Sequence, residues 1–148
     1  MIFTKKKIGK IFIDGKIDVT DPCYARDVWC RMNDVEIKKG EYTAAVWMHG
    51  KTVGILGIYY GGIVPDVAKK ELLGEIGVDA GLAGFVKAGT EIDRDEWPSF
   101  CDRIYASKKD AWLLDCGVVS VSGEGDGGYD VYAYRTNGEI TAVEIYFL

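Results

Sequence analysis

The chain has 148 residues, of which 48% are hydrophobic and 28% charged, with a formal net charge of −5. That length and balance suit one domain with a sizeable core and exclude a disordered chain. No apolar run is long enough to span a bilayer, and the acidic balance disfavours nucleic acid as a partner, since a phosphate-binding surface needs clustered Lys and Arg.

The N-terminal Met-Ile-Phe-Thr-Lys-Lys-Lys lacks the apolar centre of a signal peptide, so a cytoplasmic home is expected, and residues 1–7 read as a flexible tail on a single domain covering 1–148. Residues 8–20 alternate loosely, and Asp14-Gly15 allows either a hairpin or one bent strand with a glycine kink. Asp21-Pro22 ends this run, because proline cannot donate to a strand ladder. Tyr24, Val28, Trp29 and Met32 have near-helical spacing and predict a short helix over 25–33. A hairpin follows: Gly40 opens a strand, His49-Gly50-Lys51 turns it, and Thr52 to Tyr60 returns. Gly54, Gly57, Gly61 and Gly62 suggest a bulge or close packing in the return strand.

Pro65 and Asp66 predict a short helix over Val67 to Leu73 that stops at Gly74. Glu75 to Val86 reads as two strands or one bulged strand. Asp93 and Asp95 precede a helical stripe of Trp97, Phe100, Cys101, Ile104 and Tyr105, with Pro98 fixing the start near 95–97. Trp112 to Val121 reads as one returning strand. The last stretch is a glycine loop, 123–128, feeding a long hairpin closed by Asn137-Gly138, two residues that tolerate the positive φ of a type I′ turn. A two-residue turn sets Thr136 against Glu139. It places Tyr132, Tyr134, Val143, Ile145 and Phe147 on one face and Tyr129, Val131, Ala133, Ile140, Ala142 and Tyr146 on the other. Neither face is polar, which predicts a central hairpin covered on both sides.

Four cysteines, Cys23, Cys30, Cys101 and Cys116, form no Cys-x-x-Cys pair and share the chain with one histidine, His49, so structural zinc is not expected and reduced, mostly buried thiols are. The glycine loop is not a phosphate loop: no Lys-Ser/Thr follows, and it leads into a strand. Glu124 and Asp126 offer oxygen ligands to a divalent cation, against the plainer reading of a tight connection in which Asp126 caps turn amides. Cys23 as a nucleophile with His49 as base stands against a turn with a packed thiol, and nothing in the sequence brings the two together. Asp14, Asp21, Asp79 and Asp126 all stand beside turns and would form an acidic pocket if they converged.

Three segments taken together carry a resemblance: Asp21-Pro22-Cys23-Tyr24, Val78-Asp79-Ala80-Gly81, and Gly125 to Tyr132. The chain resembles a loose group of small bacterial and phage proteins with a DPCY motif, a V-D-[AS]-G segment and a terminal G-D-G-x-Y-x-V-Y strand, overlapping in pattern with the DUF4241 family. The resemblance implies a mostly β domain whose motif residues share a structural or ligand-binding feature. It carries no activity.

The reading is an α+β domain: a mainly antiparallel twisted sheet, sandwich-like or partly closed as a barrel, with two or three short helices. The expected function is a non-enzymatic accessory protein that binds a small polar ligand or a host protein. The ligand-binding residues would be Asp21, Cys23, Tyr24, Asp79, Asp126 and Tyr129, with no catalytic residue, metal or cofactor assigned. The phage side of the resemblance suggests action against a bacterial defence system. The rivals are a hydrolase using Cys23 or a carboxylate and metal site, and a structural or homo-oligomeric module displaying its tyrosines and tryptophans.

Overall fold

The described residues form eleven strands, most of them separated by turns with positive φ. The structure is a computed structural model that describes residues 2–91, 96–107, 109–123 and 125–148. The strands are β1 (Thr4–Ile13), β2 (Lys16–Thr20), β3 (Met32–Glu36), β4 (Gly40–His49), β5 (Thr52–Tyr60), β6 (Glu71–Val78), β7 (Leu82–Lys87), β8 (Ala111–Leu114), β9 (Gly117–Val121), β10 (Gly127–Thr136) and β11 (Glu139–Tyr146). One α-helix, α1 (Trp97–Ala106), lies between β7 and β8.

Two antiparallel sheets result, a six-stranded one in the order β1-β4-β5-β11-β10-β6 and a five-stranded one in the order β3-β2-β7-β9-β8. They pack face to face as an open sandwich. One continuous core joins Ile13, Ile17, Val19, Phe85 and Val118 to Val46, Ile58, Val131, Val143 and Ile145. The chain changes sheet at Asp14-Gly15, where Gly15 has φ 85°, and again at Asp79-Ala80-Gly81, where Gly81 has φ 67°. The first break is therefore a bend between two sheets, not a hairpin, and 75–86 is two strands.

The hairpin read at Asn137-Gly138 forms, with φ 52° and 84° at its two turn residues, and it occupies the middle of the six-stranded sheet. Its faces differ from the sequence reading. The register slips between Tyr134 and Arg135, so Tyr134 opposes Ala142 and Ala133 opposes Val143. One extra residue exchanges the faces of one strand against the other. Val131, Ala133, Val143 and Ile145 point into the core, while Tyr134 and Ala142 join Ala45 and Tyr59 in a separate cluster on the outer face.

Among the described residues, the expected helices reduce to one α-helix. The segment 25–33 is a series of turns running into β3, because long-range bonds to Asp18 fix it. Residues Val67–Lys69 make a single 3₁₀ turn capped by Asp66, and Gly74 lies inside β6. Only α1 forms as read. Phe100 and Ile104 are buried with Leu82 and Val119 on the outer face of the smaller sheet. The expected start near 95–97 agrees with the first helical residue, Trp97; residues 92–95, and the side chains of Trp97, Cys101 and Tyr105, lie outside the described residues. The stretch read as one strand from Trp112 is the hairpin β8–β9, turning at Asp115-Cys116. The Lys5-Lys6-Lys7 run, expected in a tail, is built into β1 opposite Trp47, Val46 and Ala45.

Candidate functional site

Strand β2 carries a carboxylate where its neighbours are apolar. Asp18 sits between Ile17 and Val19, and all three are fully buried. A buried carboxylate is tolerated only when its lone pairs are satisfied. Asp18 accepts five hydrogen bonds. Oδ2 takes Arg26 Nε at 3.0 Å, Arg31 Nη2 at 2.9 Å and the Gly89 amide at 3.1 Å. Oδ1 takes Arg26 Nη2 at 3.2 Å and the Asp34 amide at 2.9 Å. Arg26 therefore holds Asp18 with two nitrogens and reaches Asp34 Oδ1 with Nη2 as well, at 3.0 Å. Burial pushes the Asp18 carboxyl up, but the Arg26 hydrogen bonds and the amides of Asp34 and Gly89 outweigh it and hold the group below its ordinary value.

The arginines in turn pin the loop between β2 and β3. Arg31, whose side chain is 1% exposed, donates to the Tyr24 carbonyl at 2.7 Å and to Asn33 Oδ1 at 2.6 Å. Asn33 Nδ2 donates to the Arg26 carbonyl at 2.7 Å, and the Arg26 amide donates to Glu91 at 2.9 Å. Asp34 adopts φ 54°, a left-handed conformation that Asp tolerates better than most residues, and this turns its amide toward Asp18.

Asp21 fixes the same loop at its start. It is fully buried, and its Oδ1 accepts the Cys23 amide at 2.9 Å, the local turn that Asp-Pro favours. Its Oδ2 accepts the amides of Asp79 and Ala80, both at 2.8 Å. One carboxylate thus joins the Asp21-Pro22-Cys23-Tyr24 turn to the Val78-Asp79-Ala80-Gly81 turn. The third motif adjoins through the ladder, since Gly127 pairs with Val78 at the start of β10. Tyr129 closes that loop by donating its hydroxyl to the Gly125 carbonyl at 2.7 Å, beside a Ser122 hydroxyl bond to the same oxygen. Tyr24 lies near Cys30, Asp21 and Asp79, and its hydroxyl is pushed above its ordinary value by burial and then by these neighbours.

No protein-family model, curated protein or solved structure matches the chain. The resemblance rests on its three segments, and in the structure these three meet at one end of the sandwich.

Of the acidic residues read beside turns, Asp21 meets the Asp79 amide, and Asp126 directly precedes the β10 residue that pairs with Val78. Asp14 is at the opposite end of β2, in a charged groove of about 390 Å³ lined with Lys16, Glu36, Arg135 and Glu139. Asp21 faces amides and not open space, so its carboxylate stitches two turns together instead of lining a concavity, while Asp79 and Asp126 are exposed. Among the described residues, no group of three potential ligands could hold a metal ion; Glu124 lies outside them. Asp126 is exposed, and the loop is held by Ser122 and Tyr129. Cys23, Cys30 and Cys116 are half-buried, less enclosed than expected. His49, the last residue of β4, sits tilted beside the Phe3 ring with centroids 6.0 Å apart, four strand positions from the β6 end that Asp21 caps. At about 4.8 Å per strand this is on the order of 19 Å, too far for a Cys23–His49 dyad.

What this braced loop presents is Trp29, 91% exposed at its tip. The sequence reading used Trp29 only as part of a helical stripe. The signal that would have singled out the brace is Asp18 itself, a lone carboxylate inside an apolar strand with two arginines shortly after it.

Proposed function

We propose that the protein is a non-enzymatic binding protein whose anchor is Trp29, held out on the loop between β2 and β3 for insertion into an apolar pocket of a protein partner. One observation carries this reading. Two fully buried carboxylates accept eight hydrogen bonds, five from the loop and the start of β3 and three from the amides of Asp79, Ala80 and Gly89, and the tip of the loop they brace is a tryptophan left in water. A large apolar side chain on a floppy loop would lose binding energy to ordering; on a braced one that cost is met during folding. Tryptophan is enriched among interface anchors, where truncation costs 2 kcal/mol or more. A side chain that projects so far fits a pocket on another macromolecule better than it lines a pocket for a small ligand. The accessory role against a bacterial defence system is the setting that the motif resemblance favours.

The test is affinity capture from cells that encode the chain, comparing wild type with Trp29→Ala and with Trp112→Phe. The expected result is a partner whose dissociation constant rises at least about 30-fold in Trp29→Ala. The melting temperature should stay unchanged, and Trp112→Phe should bind as wild type. If the partner is a second copy of the chain, sedimentation will shift with concentration in wild type and not in Trp29→Ala. Interactions that all survive Trp29→Ala would remove Trp29 as the anchor and the reading with it.

A further inference from the structure

The two lateral seams of the sandwich are closed differently. Where β6 meets the start of β3, the Gly77 amide donates to the Cys30 carbonyl at 2.8 Å. Gly74 and Gly77 there lack the side chains that would collide with Met32 and Cys30; a Cβ on Gly77 would fall 2.9 Å from the Cys30 sulfur. Among the described residues, no main-chain bond closes the opposite seam, between β1 and β8. Leu113 leans on Gly9, and Lys6 makes a loose ion pair with Asp110 at 3.6 Å. Between them runs a groove of about 400 Å³ lined by Lys6, Ile8, Lys109, Ala111, Trp112 and Leu113.

We propose that this seam takes an extended acidic peptide, added as a further strand on the β1 edge. Strand β1 is ten residues long and ends the larger sheet, so alternate amides and carbonyls face away from β4. Side chains of an added strand alternate in direction. Those turned inward meet the apolar Ile8 and Leu113, and those turned outward meet the outer-face lysines Lys5 and Lys7. Charge selects the occupant. Lys5, Lys6, Lys7, Lys10 and Lys109 crowd this edge against Asp110, Asp115 and Glu41, in a protein whose net charge is −5. Lysines guard edges from pairing with neutral or basic strands; the same charge makes the edge selective for acidic ones. This site stands apart from Trp29 and from the reading built on it.

The experiment is fluorescence anisotropy of the full chain with a short labelled peptide of alternating glutamate and valine. An alternating lysine–valine peptide and a single-stranded oligonucleotide serve as comparisons, and amide hydrogen exchange is followed across β1. The expected result is salt-sensitive binding of the Glu-Val peptide alone, with slowed exchange along β1. Affinity should fall at least tenfold in Lys6→Glu/Lys10→Glu at an unchanged melting temperature, and stay intact in Trp29→Ala. Lys109→Glu, on the facing side of the groove, should weaken binding in the same direction and serves if the double variant does not fold. Absence of binding overturns the proposal. So does equal binding of the lysine peptide or the oligonucleotide, or binding that leaves β1 exchange unchanged.

Discussion

Replacing Asp18 by Asn keeps the side-chain shape and removes the charge on which two arginines converge. The Arg31 side chain is 1% exposed and Asp18 fully buried, so the variant leaves a guanidinium in the interior without its counter-charge. Arginine does not shed its proton to escape this. Breaking a buried pair in this way costs about 3–5 kcal/mol. For a chain of this size, at about 2–4 °C per kcal/mol, the melting temperature should fall roughly 6–20 °C. Arg31→Met is the informative control. It removes the costly charge and leaves Asp18 with four of its five hydrogen bonds, so its loss should be smaller, about 1–3 kcal/mol. Calorimetry gives both values, and hydrogen exchange should show the 22–34 segment loosening in Asp18→Asn. The Asp18 carboxyl is held below its ordinary value in the folded state. Its contribution is therefore complete above the unfolded value, about pH 4, and is lost as pH falls from there through the folded value. Wild type should lose stability on acidification more steeply than Asp18→Asn. A loss below about 1 kcal/mol in Asp18→Asn, or a greater loss in Arg31→Met, would refute the view that this carboxylate braces the loop.

Two further outcomes follow from the same physical terms. Asp21→Ala removes the acceptor of three amides, and should destabilise the protein by about 2–4 kcal/mol while speeding amide exchange at Asp79 and Ala80 on the other sheet-crossing turn. On the outer face of the larger sheet, Glu144 accepts the hydroxyls of Tyr59 at 2.6 Å and Tyr134 at 2.7 Å, and Trp47 donates to Tyr59 at 2.8 Å. Burial, and then Glu144, push both tyrosines above their ordinary value. The stability this represents is present below about pH 10 and is lost as pH rises through the folded values. Tyrosinate absorbance at about pH 11 should therefore be lower in the folded protein than in denaturant, with the gap narrowed in Tyr59→Phe.

Much of the architecture was legible because it is local. Asn137-Gly138 and Gly50 advertise turns through residues that accept positive φ, and Phe100 and Ile104 repeat with the helical period. The misreadings are all non-local. Nothing near Tyr134 announces the bulge that reverses one strand of the hairpin. Tyr24, Val28, Trp29 and Met32 imitate a helix, but bonds from Asp18 and Asp21 claim the backbone and side chains between them. The turn at Asp115-Cys116 has no strong marker, so two short strands read as one. Asp14, Asp21, Asp79 and Asp126 are legible as turn residues, but an acidic pocket needs their carboxylates to converge, and Asp21 meets the Asp79 amide and not its carboxylate while Asp14 lies at the other end of β2. The sequence shows a carboxylate and not the amides that fill it.

The division of labour within the β2–β3 loop has a consequence for how such a protein changes over generations. The residues that hold the loop are Asp18, Asp21, Arg26, Arg31 and Asn33; Asp27 and Trp29 stand exposed between them. Support and display occupy different positions, so the displayed pair can vary without unsettling the support. A lineage built on this plan can change what the loop exposes by a few substitutions and keep its chassis intact.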